Sequence, residues 1–546
     1  MACHDKFVTV VSYPYSCYTY SLTAVDSTFL LVFDNADDLA ALKTAWPTAI
    51  HGSVLLTTRD FIVATSLATK YVLVDALSDE DGSKLLLKAL DHDDSSPDAQ
   101  QQQQQAITIT KIFGGLPLAL TQIGGFIKQR KMSLNEFLPL YKRHSSKINA
   151  RKAPGSDYKY TLSSVWDVSF EKLTENSTRL LNLLSFFEPD SISEEILLQG
   201  SQSIVDEFSF LSDEMDVGDA SEELLRAALI NRAGVSPTLS IHRLVQSAAR
   251  TRLNETQTAE YFDAVVHLLR WGFPDHSSTD IGHQIAAWGR CEKCLPHVYH
   301  LVQLAKHEGK NPEDRQQYAN LLLRCSWYLY ESEMYTIARG MVEQAISIFE
   351  DTTSLEYASA IDLGGLIDLD LAQPAKALEP FTRALEIRKA NLGSDDPFIA
   401  YSLNNVALAY TELGELDLAL SAHQEAIRLR LKANSNRIGN SYSNISSLLL
   451  RMGRPEEAEQ SLAKCPALKD FSDETFLSTG NPRFSGDMVL LSRIRLAQGR
   501  LPDALRLASK ALEFRRKLLG NRLKTCDSQY DVASMLLKDG HIISAM

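Results

Sequence analysis

The strongest constraint on this chain is a repeat near its end. Small residues recur inside similar frames. "YTIARGMVEQAISIF" carries Ala338 and Ala345, "PAKALEPFTRALEI" carries Ala377 and Ala384, and "LDLALSAHQEAIRL" carries Ala419 and Ala426. "PEEAEQSLAKC" carries Ala458, with Cys465 in the second place, and "LPDALRLASKALEF" carries Ala504 and Ala511. Ala545 closes the chain in the same frame. Successive first alanines lie 39, 42, 39, 46 and 41 residues apart. A period of that length is one supersecondary unit, repeated.

Each frame follows an upstream helical pattern, as "SLNNVALAYTELG" does before Leu416, so each unit is predicted to be a helical hairpin. Alanine sits where two helices cross too closely for a larger side chain. Gly414, Gly453, Gly499 and Gly540 permit the tight turn between them. One hairpin cannot bury its apolar face alone, so the units stack into a solenoid with a concave groove suited to a peptide or protein. Residues 316–546 resemble tetratricopeptide repeats, about six of them with the last incomplete. The period near 40 and the linker "LGSDDPFIA" look like the kinesin-light-chain type.

The rest of the chain is organised differently. At 546 residues it is too long for one core. "FLLVFD" (29–34), "SVLLTT" (53–58) and "YVLVDAL" (71–77) read as strands, with short helices at 37–45 and 60–69 between them. This alternation predicts an α/β domain with a parallel sheet. Ser78 reads as the N-cap of the next helix. The low-complexity run 91–105 reads as a surface loop entering a helix. Residues 224–250 read as helix, short β-hairpin and helix, the order of a small winged-helix domain. Residues 256–315 read as a helical linker.

The net charge of −14 disfavours nucleic acid as a partner. Seven scattered cysteines fit a reducing compartment. The uncharged stretch Phe7–Val25 lacks a sustained apolar run, so neither a signal peptide nor a membrane span is expected, and a cytoplasmic protein is.

Asp34 ends an apolar strand, where phosphate ligands and Mg²⁺ bind in such sheets. Arg59 ends the next strand, after Thr57 and Thr58, and would lie at the same sheet edge. "GLPLA" (115–119) follows, with Pro117 placed to start a helix. Together "LLVFDNADD", "GSVLLTTRD", "GLPLAL" and, further on, "IHRLVQ" (241–246) resemble the NB-ARC family, the nucleotide-binding switch of plant and fungal immune-type receptors. The resemblance covers about 29–250. It implies a multidomain chain: a remnant P-loop NTPase-like α/β nucleotide-binding domain with the GLPLA helical segment (29–154), a winged-helix domain (155–255) and an all-α repeat solenoid.

The resemblance also implies roles. Asp34 would be the metal-facing acid of the Walker B motif, Arg59 the sensor of a terminal phosphate, and Pro117 would pack near adenine. His242 would reach a diphosphate and hold the closed state. The implied cofactor is ADP or ATP with Mg, and the implied partners are a protein or peptide in the groove, with self-assembly.

This sequence departs from the pattern in three places. No GxxxxGK[ST] phosphate loop occurs, Ile241 stands where Met is usual, and Arg243 stands where Asp is usual. Asn35, an amide, cannot act as a general base. Nucleotide binding is therefore expected to be weakened and hydrolysis absent. The chain reads as shortened at its front, and a sheet lacking its usual central strand is expected to be exposed or repaired by Phe7–Tyr20. The alternative is a nucleotide-independent repeat scaffold or adaptor resembling kinesin light chain. "CEKCLPHVYH" spaces Cys291, Cys294, His297 and His300 three apart, but such steps drift around a helix, so apolar packing is expected there rather than zinc.

Overall fold

The computed structural model describes residues 8–11, 29–34, 36, 42–43, 46–47, 52–58, 61–72, 74, 76–91, 98–149, 166–201, 206–233, 237–276, 285–309, 312–435, 437–465 and 482–539. The chain forms two compact units, residues 1–265 with 300–311, and residues 266–299 with 312–546. Among the described residues no helix is long and apolar enough to cross a membrane.

The first unit opens with a parallel sheet, β1 (Val8–Val11), β2 (Phe29–Phe33) and β3 (Gly52–Leu56), in the order β1-β2-β3. Val8 pairs with Leu30 and Phe29 with Gly52, so β2 is central and the segment 7–20 supplies a strand. Alternation puts Leu31 and Phe33 on one face, where Ala36, Leu42 and Val63 cover them and Trp46 stacks on Phe33 at 5.8 Å. Leu30 and Leu55 are exposed on the other.

The helix expected at 60–69 is Phe61–Leu67. Of the helix expected at 37–45, only Leu42 and Lys43 are described, and they are helical. At 71–77, where a strand was expected, the described residues form none. They are not paired into the sheet, and Tyr71, Val72 and Val74 are exposed. A strand needs a neighbouring strand for its backbone groups, and at the end of this stretch Leu77 N–H donates to Gly115 O instead.

Four helices follow: Asp79–Ala89, Ala99–Ile112, Pro117–Arg130 and Leu134–Asn149. Ser78 caps the first, its hydroxyl accepting from Asp81 N–H at 3.1 Å. They share an apolar core that includes Phe113, Phe137 and Ile123. Gly82 and Gly124 let the helices approach, since a Cβ at either would lie under 3.0 Å from Thr110 or Ala89.

Next comes a second sheet with helices around it. Helix Glu214–Arg226 leads into the antiparallel pair β5 (Ile230–Ala233) and β6 (Thr238–Ile241), and then into helix Arg243–Arg252. The hairpin expected from sequence is therefore present. A short strand, β4 (Ile192–Ser193), joins the other edge of β6, giving the order β4-β6-β5.

The second unit is helical. Among the described residues five hairpins occur: Arg315–Glu331 with Tyr335–Ile348, Leu355–Asp370 with Pro374–Asn391, Pro397–Leu413 with Leu416–Lys432, Ile438–Arg451 with Pro455–Leu462, and Pro482–Ala497 with Leu501–Leu519. Helix Leu523–Lys538 follows the fifth. All nine repeat alanines from Ala338 to Ala511 have no exposed surface, and Cys465 is 2% exposed. Within the linker "LGSDDPFIA" Asp396 caps the next helix, its carboxylate accepting from Phe398 N–H at 2.8 Å, with Pro397 opening the helix.

Candidate functional site

His242 caps helix Arg243–Arg252: its Nδ1 accepts from the backbone N–H of Leu244 at 3.2 Å. That bond fixes the neutral tautomer with hydrogen on Nε2, and Nε2 lies 3.2 Å from the carbonyl oxygen of Gly114. Gly114 and Gly115 have φ of +57° and +68°, and they lead into helix Pro117–Arg130 with Pro117 in its first turn. The glycines are required twice. A Cβ at Gly114 would lie 2.2 Å from Nε2 of His242, and one at Gly115 would lie 2.1 Å from the carbonyl oxygen of Leu77. Leu77 N–H in turn donates to Gly115 O at 3.0 Å. Burial lowers the His242 pKa, while the Gly114 carbonyl works against that shift.

The helix that carries His242 is held rigidly. Leu244 enters the four-helix core beside Phe113. Gln246 is buried, and its amide donates to the carbonyls of Leu184 and Phe187, each at 2.9 Å. Arg250 donates to the carbonyl of Ser185. Arg243 pairs with Glu188 at 3.7 Å, which gives the Arg at that position a partner. Burial raises the Glu188 pKa, while Arg243 works against it. Together these residues form a latch between the hairpin unit and the GGLPLA turn.

Asp34 lies apart from this in sequence, directly after β2 and exposed. Its carboxylate accepts from the Thr57 hydroxyl at 2.5 Å, so the ends of β2 and β3 are joined. Thr57 N–H also donates to Phe33 O at 2.8 Å. Arg59 lies outside the described residues. Of the four expected site residues, the structure puts His242 against the turn that opens the Pro117 helix, and sets Asp34 at the sheet edge beside Thr57.

In "CEKCLPHVYH" the residues lie along helix Trp288–Gln303. Cys291 donates to Gly272 O at 3.2 Å, and burial pushes its thiol up to about 12, so it packs as an inert thiol. Among the described residues no group of three or more His, Cys, Asp or Glu could hold a metal ion.

Family models for the tetratricopeptide repeat match residues 357–432, 439–468 and 490–522. A domain family of unknown function matches residues 168–258, which span the hairpin unit and His242. A nucleotide-binding leucine-rich repeat (NLR)-like protein of Hyaloscypha variabilis is 25% identical over 356 residues. That match covers 59% of this chain, more than residues 316–546 can supply, so it extends beyond the repeats. The chain carries tetratricopeptide repeats, and its similarity to the NLR-like protein supports a resemblance to NB-ARC/tetratricopeptide-repeat proteins.

The chain spans about a third of the relative's length, 33%. Two solved structures are similar at low identity. One is a Signal Transduction ATPase with Numerous Domains protein with a tetratricopeptide repeat sensor from Pyrococcus horikoshii, 15% identical, covering 95% of this chain and 79% of that one, TM-score 0.31. The other is aspartyl phosphate phosphatase F from Bacillus subtilis, 16% identical, covering 71% and 93%, TM-score 0.40.

The tetratricopeptide repeats contain an arginine series that the alanine pattern did not expose. Arg388, Arg430 and Arg515 each stand eleven residues after the first alanine of their frame, and each is buried. Each reaches a serine of the next first helix: Arg388 to Ser402 at 2.5 Å, Arg430 to Ser441 at 2.5 Å, Arg515 to Ser528 at 2.8 Å. Arg388 also pairs with Asp362 at 2.5 Å, and Asp362 accepts from Asn405 at 3.0 Å. These bonds fix one hairpin against the next, and their signal was the constant offset.

Proposed function

We propose that this is a signalling or regulatory protein acting through protein contacts. Its repeats take a protein or peptide ligand in their groove, and the histidine latch of its first unit closes on protein atoms without nucleotide. On this reading residues 29–154 derive from a P-loop NTPase-like α/β domain with its helical segment, and residues 155–255 are a winged-helix unit. Self-assembly belongs to the same reading.

One observation carries it: both ring nitrogens of His242 have protein partners, Gly114 O and Leu244 N–H. The residues at hand do not fit a nucleotide's phosphates. The sequence contains no GxxxxGK[ST] cradle, and the Asp34 carboxylate already takes the Thr57 hydroxyl. No step through ADP, ATP or Mg is therefore part of this reading.

Thermal unfolding of the chain with and without millimolar Mg-ADP tests it. A ligand at a hundred times its Kd stabilises by about 2.7 kcal/mol. The expected result is an unchanged midpoint, together with a lower midpoint for His242→Ala in nucleotide-free buffer. A midpoint raised by ADP in the native chain but not in His242→Ala would overturn it. That outcome favours a second reading, in which the chain retains a nucleotide switch. Its support is Asp34, a carboxylate at the carboxyl end of a parallel strand.

A further inference from the structure

The turns inside the five hairpins share one geometry. Glu333, Ala372, Gly414, Gly453 and Gly499 each stand five residues before the first alanine of their frame, with φ of +61°, +57°, +85°, +71° and +75°. In each turn the next N–H returns to a carbonyl five residues back, as Met334 does to Leu329 and Glu415 to Tyr410. Glycine suits this left-handed position and three hairpins use it. The first hairpin places a glutamate there, against the local preference.

That glutamate does not face water. Its side chain is 1% exposed. Its Oε2 accepts from the backbone N–H of Lys524 at 3.0 Å, across 191 residues of sequence, and its Oε1 lies 3.9 Å from Lys524 Nζ. Lys524 is in the first turn of helix Leu523–Lys538, whose own N-cap residue, Arg522, makes no side-chain capping bond. The first turn of a helix carries N–H groups without intrahelical partners and favours negative charge. Glu333 supplies both needs from the far end of the array.

The receiving end is itself fixed. Arg515 donates to Lys524 O at 2.8 Å and to Ser485 Oγ at 3.1 Å.

We propose that Glu333 is a clasp: it caps helix Leu523–Lys538 from the first described hairpin and holds the array closed on itself, and the groove opens when that contact is lost. A groove ligand that fits only the open array would then compete with the clasp, so the array has a resting closed state. This holds whether or not the first unit responds to nucleotide.

The test uses the full chain with Cys3, Cys17 and Cys526 replaced by Ser and spin labels at Ile337→Cys and Tyr530→Cys, both exposed positions. Glu333→Gly installs the residue the later turns use, so it keeps the turn and removes the clasp. Lys524→Pro removes the donated N–H within a helix's first turn, where proline is tolerated. Glu333→Gln keeps an acceptor and serves if Glu333→Gly fails to fold. The expected result is one narrow distance population in the native chain and a shift to longer, broader distances in Glu333→Gly and Lys524→Pro. With Glu333→Gln as the substitute, the expected shift is in the same direction but smaller. Unchanged distances in either tested partner would overturn the proposal, because the clasp needs both.

Discussion

Nε2 of His242 faces the carbonyl oxygen of Gly114 at 3.2 Å, although the two residues stand 128 positions apart in sequence. The contact is possible only because Gly114 has no side chain: a Cβ there would stand 2.2 Å from the same nitrogen. It joins a helix cap to a glycine turn.

Gly114→Ala is therefore expected to destabilise in two ways. The left-handed φ of +57° costs about 1–2 kcal/mol, and the clash with the imidazole about 1–3 kcal/mol. Denaturant unfolding measures the sum. Adding His242→Ala removes the clash, so the double variant should lose less than the two single losses added together.

Acid should weaken the protein through its buried histidines. Burial lowers His423 and His297 to about 4, from an ordinary value of 6.5, and lowers His242 in the same direction. A base whose folded pKa is depressed binds its proton more readily when unfolded. Its contribution is therefore present above pH 6.5 and lost as pH falls through the folded value. For His423 or His297 the full loss, reached below about pH 4, is roughly 3 kcal/mol. Stability measured from pH 7 to pH 4 should fall more steeply for the native chain than for His423→Gln.

Arg388→Met should cost about 3–5 kcal/mol, because it leaves the Asp362 carboxylate buried without its cation. Replacing both, as Arg388→Met with Asp362→Leu, should recover much of that loss. Urea midpoints of the four proteins close the cycle. A double variant as unstable as Arg388→Met would mean the pair's value lies in the serine and asparagine bonds around it.

The repeats were legible because one position in each frame tolerates only a small residue. Ala377 and Ala419 announce a helix crossing before any contact is known. Ser78, Pro117 and Asp396 were legible as helix starts, since capping chemistry is local. Tyr71–Leu77 misled, because β-branched and aromatic residues mark a strand only where a neighbouring strand exists, and the sequence does not supply that neighbour. The reverse holds for Val8–Val11, which gains its partner β2 from across the chain. The His242–Gly114 contact was beyond reach for the same reason, although His242 stood in a motif already noticed and Gly114 directly before another. The arginines at 388, 430 and 515 were within reach, and their common offset from the alanines was the signal.

Calorimetric titration of the full chain with Mg-ADP tests the central claim most directly, that the latch closes on protein atoms alone. The account predicts no saturable heat up to millimolar ligand, in the native chain and in His242→Ala alike. Saturable binding in the micromolar range, weakened by Asp34→Ala or His242→Ala, would contradict it.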